Sequence, residues 1–154
     1  MTADDPVVLD ILRRSMVARI ATLSRSGRPS VNPLYFIYLN GKILLGTPEW
    51  TLAARNIKAN PRVSVLFNVE RDPGDRRVLR IIGQARVRTD ADALRSYNPR
   101  VALKYILTPG GIYNWLTHPR QLWLRRFYTA QSAQKGLASV IEVTPELIAL
   151  LTDD

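Results

Sequence analysis

Apolar and polar positions change their spacing several times along the chain, and each change predicts an element. Over residues 5–14, Val7, Val8, Ile11 and Leu12 fall on one helical stripe, and Asp4 or Asp5 stands ready as a cap before Pro6. A short amphipathic helix is predicted. The β-rich run Val17 to Leu23 ends in the turn signal Ser24–Gly27, and a second run, Ser30 to Leu39, is heavy in aromatics. Asn40-Gly41 closes that run with a strong hairpin signal, because both residues accept the positive φ of a type I′ turn, and Lys42 to Thr47 runs back as its partner. The opening third therefore reads as a β-meander.

Helix-compatible spacing returns from Thr51, with Leu52, Ala53, Ala54, Ile57 and Ala59, and ends at Asn60-Pro61. Arg62 to Val69 is β-like, Asp72-Pro73-Gly74-Asp75 is a turn, and Val78 to Val87 is a strand whose Gly83 suggests a bulge or a close backbone approach. Thr89 to Asp92 supply caps for helical material from Ala91. Asn98-Pro99 restarts that helix, while Pro109-Gly110-Gly111 and His118-Pro119 break it. Ala138 to Val143 is predicted as the last strand, followed by a capped helix from Thr144-Pro145-Glu146. About six strands, mostly joined by hairpins, favour a mainly β protein with helices, closed as an antiparallel barrel to remove its edges. A chain of 154 residues fits one such domain, with residues 93–136 as a helical insertion.

Composition narrows the chemistry. There are no cysteines, which excludes disulfides, thiolate metal sites and cysteine nucleophiles. The acidic start and the lack of a long apolar run point to a soluble, unprocessed, cytoplasmic protein. A net charge of +9 favours anionic partners: nucleic acid, acidic lipid or a phosphorylated small molecule. The distribution is one-sided, because no acid occurs between Asp92 and Glu142, a stretch that carries Arg95, Arg100, Lys104, Arg120, Arg125, Arg126 and Lys135.

Several reaction classes lack their residues. His118 stands alone before a proline, where a loop or capping role suits it better than metal binding, so no zinc site is expected. No G-x-S-x-G elbow, G-x-G-x-x-G or P-loop occurs. A nucleotide-like ligand would have to be held by some other geometry.

The segments Ala18-Arg19-Ile20-Ala21-Thr22-Leu23, Ser26 through Phe36, Leu45-Gly46-Thr47 and Ala54 through Ser64, together with Val140 through Glu146, occur in an order that resembles the pyridoxamine-phosphate-oxidase-like family. The subgroup most similar is that of flavin- and deazaflavin-dependent oxidoreductases. This resemblance implies a six-stranded split barrel that forms a homodimer, with FMN or an 8-hydroxy-5-deazaflavin-type coenzyme in the cleft between protomers. It implies that the strand carrying Asn32, Pro33, Leu34 and Tyr35 runs beside the ring, and that the segment from Thr47 to Asn56, including Trp50, Thr51 and Arg55, meets the phosphate end. Hydroxyls, free helix N–H groups and a positive dipole end make that physically reasonable. The family commonly carries a basic pair on this helix, whereas this chain has Leu52 and Ala53, with Ala53 at the usual lysine position. Weak FMN binding and better binding of a deazaflavin with a long acidic tail are therefore expected, the tail being received by Arg120, Arg125 and Arg126.

The expected chemistry is hydride transfer between bound cofactor and a small acceptor, with Asn32 and Tyr35 as polar contacts to ring or substrate. Two other readings stay open. The same barrel could store, sense or carry a flavin-like anion without turnover. Alternatively, Leu116, Leu122, Trp123, Phe127 and Tyr128, interleaved with arginines, could form an interface to acidic membrane or nucleic acid, although packing on the barrel or across a dimer explains them more simply.

Overall fold

The computed structural model describes residues 1–105 and 138–151. Its first element is helix α1 (Pro6–Arg14), where the Asp5 side chain accepts from the Val7 N–H and Pro6 fills the first turn. Val8, Ile11 and Leu12 are the buried stripe. Strands β1 (Ala18–Leu23), β2 (Pro29–Leu34), β3 (Phe36–Leu39) and β4 (Lys42–Pro48) follow, then helix α2 (Leu52–Ala59), strands β5 (Arg62–Asn68) and β6 (Val78–Arg88), helix α3 (Ala91–Tyr105) and strand β7 (Ala138–Leu151). All seven strands belong to one antiparallel sheet, in the order β2-β1-β5-β6-β7-β4-β3. It curls as a split-barrel α+β fold.

Alternation supplies the core. Ile20 of β1, Val65 and Phe67 of β5, Leu79 and Ile81 of β6, and Ile141 and Val143 of β7 meet Ile11 of α1 and Ile57 of α2 in one cluster. A smaller cluster on the outer face joins Ile37, Leu44 and Val140 to Ala93 and Tyr97 of α3. The Asn40-Gly41 hairpin forms with positive φ at both residues, as its sequence requires.

Three expectations about elements change. The run from Ser30 to Leu39 is two strands, divided at Tyr35, which brings the count to seven rather than six. Asn98-Pro99 does not interrupt α3; Pro99 sits inside it at an exposed position. The helix expected from Thr144 is a continuation of β7. A register shift against Ile82 and Gly83 leaves Glu146 as the extra residue, so the core-facing positions pass from Ile141 and Val143 to Ile148 and Leu150. Gly83 supports this bulge, since a Cβ there would lie 2.1 Å from the Thr144 carbonyl oxygen.

Candidate functional site

Thr51 caps α2 as its sequence position suggested, accepting from the Ala54 N–H at 3.4 Å. Its hydroxyl lies 2.9 Å from that of Thr47, and it also donates to the Pro48 carbonyl at 2.9 Å. The end of β4 is thereby tied to the start of α2. Leu52 and Ala53 head this helix, where N–H groups have no intrahelical acceptor and the dipole is positive. Arg55, one turn on, is exposed and forms no ion pair among the described residues.

The strand predicted to border a ring lies beside this helix start. Tyr35, at the break between β2 and β3, accepts from the Gly46 N–H through its carbonyl at 3.3 Å, so it adjoins the residue before Thr47. Its side chain is 59% exposed, and Trp50 is 50% exposed on the β4–α2 connection. Within β2, Pro33 is exposed, Leu34 packs partly against the core, and the Asn32 side-chain oxygen is buried with no hydrogen-bond partner among the described residues. Such an acceptor is costly to leave unpaired.

Asn56 occupies a different environment. It is 4% exposed, and its amide donates to the hydroxyls of Thr22 at 3.0 Å and Ser30 at 3.1 Å. These hydroxyls are 3.0 Å apart, completing a neutral network that fastens α2 to β1 and β2. Ala53 likewise faces the core, at 2% exposure. A cation at that position of this backbone would enter apolar packing rather than a cleft. Arg120, Arg125 and Arg126 lie outside the described residues.

Two tyrosines that the sequence did not single out hold the Tyr35 break in place. The Tyr105 hydroxyl donates to the Phe36 carbonyl at 3.1 Å and accepts from the Phe36 N–H at 3.2 Å, while the Tyr97 hydroxyl donates to the Tyr35 carbonyl at 3.3 Å. The Tyr35 and Tyr105 rings sit 4.6 Å apart. Burial pushes the Tyr97 hydroxyl up to about 12 and the Tyr105 hydroxyl higher still, so both remain donors at neutral pH. Gly46 makes room, because a Cβ there would lie 2.3 Å from the Tyr97 hydroxyl. The available signal was the spacing of Ala93, Tyr97 and Val101, a helical stripe that Asn98-Pro99 obscures.

Charge gathers elsewhere. The buried Glu142 carboxylate receives Lys42, Arg86 and Arg88; burial alone would raise its pKa, but these hydrogen bonds hold it below the ordinary value. Near α1, Arg14 and Arg77 bind Asp10 and Asp75, and Arg14 also binds Asp72. No described helix is long and apolar enough to cross a membrane.

The model of the pyridoxamine 5'-phosphate oxidase family matches residues 5–152. Among solved structures, the chain is similar to an F420 reductase, at 21% identity and a TM-score of 0.62, with 91% of this chain and 94% of that one covered. It is similar to the heme storage protein HutZ from Vibrio cholerae, at 16% identity and a TM-score of 0.67, covering 99% and 95%. A conserved hypothetical protein from Mycobacterium tuberculosis has a TM-score of 0.70 at 17% identity, covering 96% of this chain and 83% of that one. At these identities the likeness is one of fold. Comparison with curated proteins gives no match.

Proposed function

The chain belongs to the pyridoxamine 5'-phosphate oxidase family, and from that premise we propose that it is a flavin- or deazaflavin-dependent oxidoreductase whose cofactor lies between β2 and the start of α2. The observation that carries this reading is the start of α2, where Thr47 and Thr51 spend their hydroxyl protons on each other and on the Pro48 carbonyl and leave the Leu52 and Ala53 N–H groups without an intrahelical acceptor, beside a strand whose Asn32 oxygen is buried without a described partner. Donors and an unspent acceptor of this kind suit a ring with a phosphorylated tail. The residues present therefore fit the group.

When bound, a flavin or deazaflavin supplies hydride transfer to a small acceptor. The chain's own part is to bind and orient. The first N–H groups of α2, held in place by the Thr47–Thr51 pair, receive the anionic tail, with Arg55 adding exposed charge. Asn32 accepts from a ring N–H, while Tyr35 and Trp50 offer apolar faces that cover a ring and exclude water. With Ala53 in the core, the buried face of α2 supplies no cation, which favours a ligand whose longer acidic tail reaches beyond α2. Arg120, Arg125 and Arg126 are the proposed contacts for that tail.

The cleft is completed by a second copy. Pro29, Val31, Pro33 and Tyr35 are exposed on one side of the edge strand and its break, with Val31 60% exposed, and such an edge calls for cover. Light scattering at micromolar concentration should find a particle near twice 17.4 kDa. A monomer would remove the shared cleft from the account.

A non-enzymatic carrier of the same ligand is the second reading, and the apolar placement of Ala53 favours it. Turnover separates the two. Under the first reading, protein supplied with reduced FMN or reduced deazaflavin reduces a quinone or nitro acceptor; binding without reduction supports the carrier, and absence of binding overturns both.

A further inference from the structure

Away from the start of α2, residues of α1, β3 and α3 line an open pocket of about 530 Å³. Leu9, Leu12 and Ile37 supply apolar wall, and Arg13, Arg100 and Lys104 bring three cations to it. The one acid in this lining, Asp10, is already engaged by Arg13 and Arg14, each at 3.4 Å, and by Arg77 at 2.9 Å, which leaves Arg100 and Lys104 as the cations without a carboxylate partner among the described residues. Lys104 also borders an adjoining cavity of about 450 Å³, so its ammonium stands between two spaces.

Lys104 has no carboxylate partner among the described residues. Its Nζ donates to the Leu12 carbonyl at 3.3 Å, at the negative end of α1, and lies 3.4 Å from the centre of the Phe36 ring. That engages one of three N–H donors. Burial pushes its pKa down to about 8, against an opposing pull from Glu70, so desolvation is only partly compensated. Residues 106–137 contain no Asp or Glu, and hence no carboxylate to neutralise it. An apolar space of ligand size, with a cation at its wall that has no carboxylate partner among the described residues, suits an anion that has an apolar body.

We propose that this cavity binds a small apolar monocarboxylate, its carboxylate received by Lys104 and Arg100 and its hydrocarbon body laid against Leu9, Leu12 and Ile37. The site is separate from the α2 flank and does not depend on flavin binding. Charge complementarity selects the ligand: a neutral alcohol of the same length leaves the ammonium uncompensated, and a cationic amphiphile is repelled.

Decanoate, kept below micelle-forming concentrations, is the probe, with decanol as control and calorimetry as readout. The expected result is saturable decanoate binding at least tenfold tighter than decanol, reduced about tenfold or more in Lys104→Met and a few-fold in Arg100→Gln. Lys104→Arg should retain most of it. Leu9→Asp, at an exposed position that should tolerate the change, places a negative charge at the wall and should also abolish binding, so the test survives if Lys104→Met fails to fold. FMN titrations of the folded variants should be unchanged. Absence of decanoate binding to the wild type, equal binding of decanol, or undiminished binding to folded Lys104→Met would overturn the proposal and leave Lys104 as a cap on α1.

Discussion

The two flanks of the sheet hold their polar groups by opposite means. Around α2 the buried groups are neutral: Thr22, Ser30 and Asn56 satisfy one another, and Thr47 and Thr51 pair at the helix start. Around α1 and the end of α3 the polar groups are charged, with Lys104 desolvated and the partly exposed Arg14 and Arg77 bound to carboxylates. A neutral flank is indifferent to pH and presents dipoles to an anion. The charged flank ties its stability to pH and offers whole charges.

Breaking the neutral network should have the largest effect. Asn56→Ala removes two hydrogen bonds and leaves a small cavity under α2, costing about 2–4 kcal/mol. Chemical denaturation should show that loss nearly constant from pH 5 to 9. A strongly pH-dependent loss would erase the contrast.

Lys104 sharpens the other side. Its folded pKa of about 8 lies below the usual 10.5, so between these values the unfolded chain binds more protons and stability rises with pH. Tyr38, Tyr97 and Tyr105 have raised pKa values and oppose the trend above pH 10, where unfolded tyrosine ionises. Wild-type Tm should therefore gain about 2–4 °C relative to Lys104→Met between pH 8 and 9.5. Parallel curves would mean that the ammonium is well solvated.

Smaller effects follow at the helix start and the ion cluster. Thr51→Ala should cost about 1 kcal/mol by removing the cap, read as a lowered denaturant midpoint. Asp10 and Asp75 titrate below the ordinary carboxylate value because of Arg77 and Arg14, Asp75 at about 2. Their stabilisation is complete above about pH 4 and is lost as pH falls toward 2. Wild type and Arg77→Met should thus converge in Tm as the pH is lowered through that window, a small difference given the exposure of the cluster.

Local signals were readable where the structure answers to neighbours in sequence. Asp5-Pro6, Asn40-Gly41 and Thr51 each act within a turn of themselves, and each forms as its chemistry dictates. Thr144-Pro145-Glu146 carries the same kind of helix-start signal, yet pairing with β6 turns it into a bulge, because Ile148 and Leu150 gain more by facing the core than a surface helix would give them. Asn56 read as a site residue because it closes the segment that the family resemblance assigns to the phosphate end, whereas its partners Thr22 and Ser30 come from another part of the chain. In the sequence, Lys104 is one more cation of an acid-free stretch. Its burial depends on α1 and Phe36, contacts that no local pattern encodes.

The central claim is that the α2 flank holds a flavin-like anion, and the most direct test is fluorescence titration of the purified protein with FMN and with a polyanionic deazaflavin. Wild type, Thr51→Ala and the charged-flank variant Arg100→Gln should be compared at moderate salt. The account predicts saturable binding, tighter for the deazaflavin, weakened about three- to tenfold by Thr51→Ala and unchanged by Arg100→Gln. Binding of neither ligand to folded wild type, or loss in Arg100→Gln with none in Thr51→Ala, would contradict it.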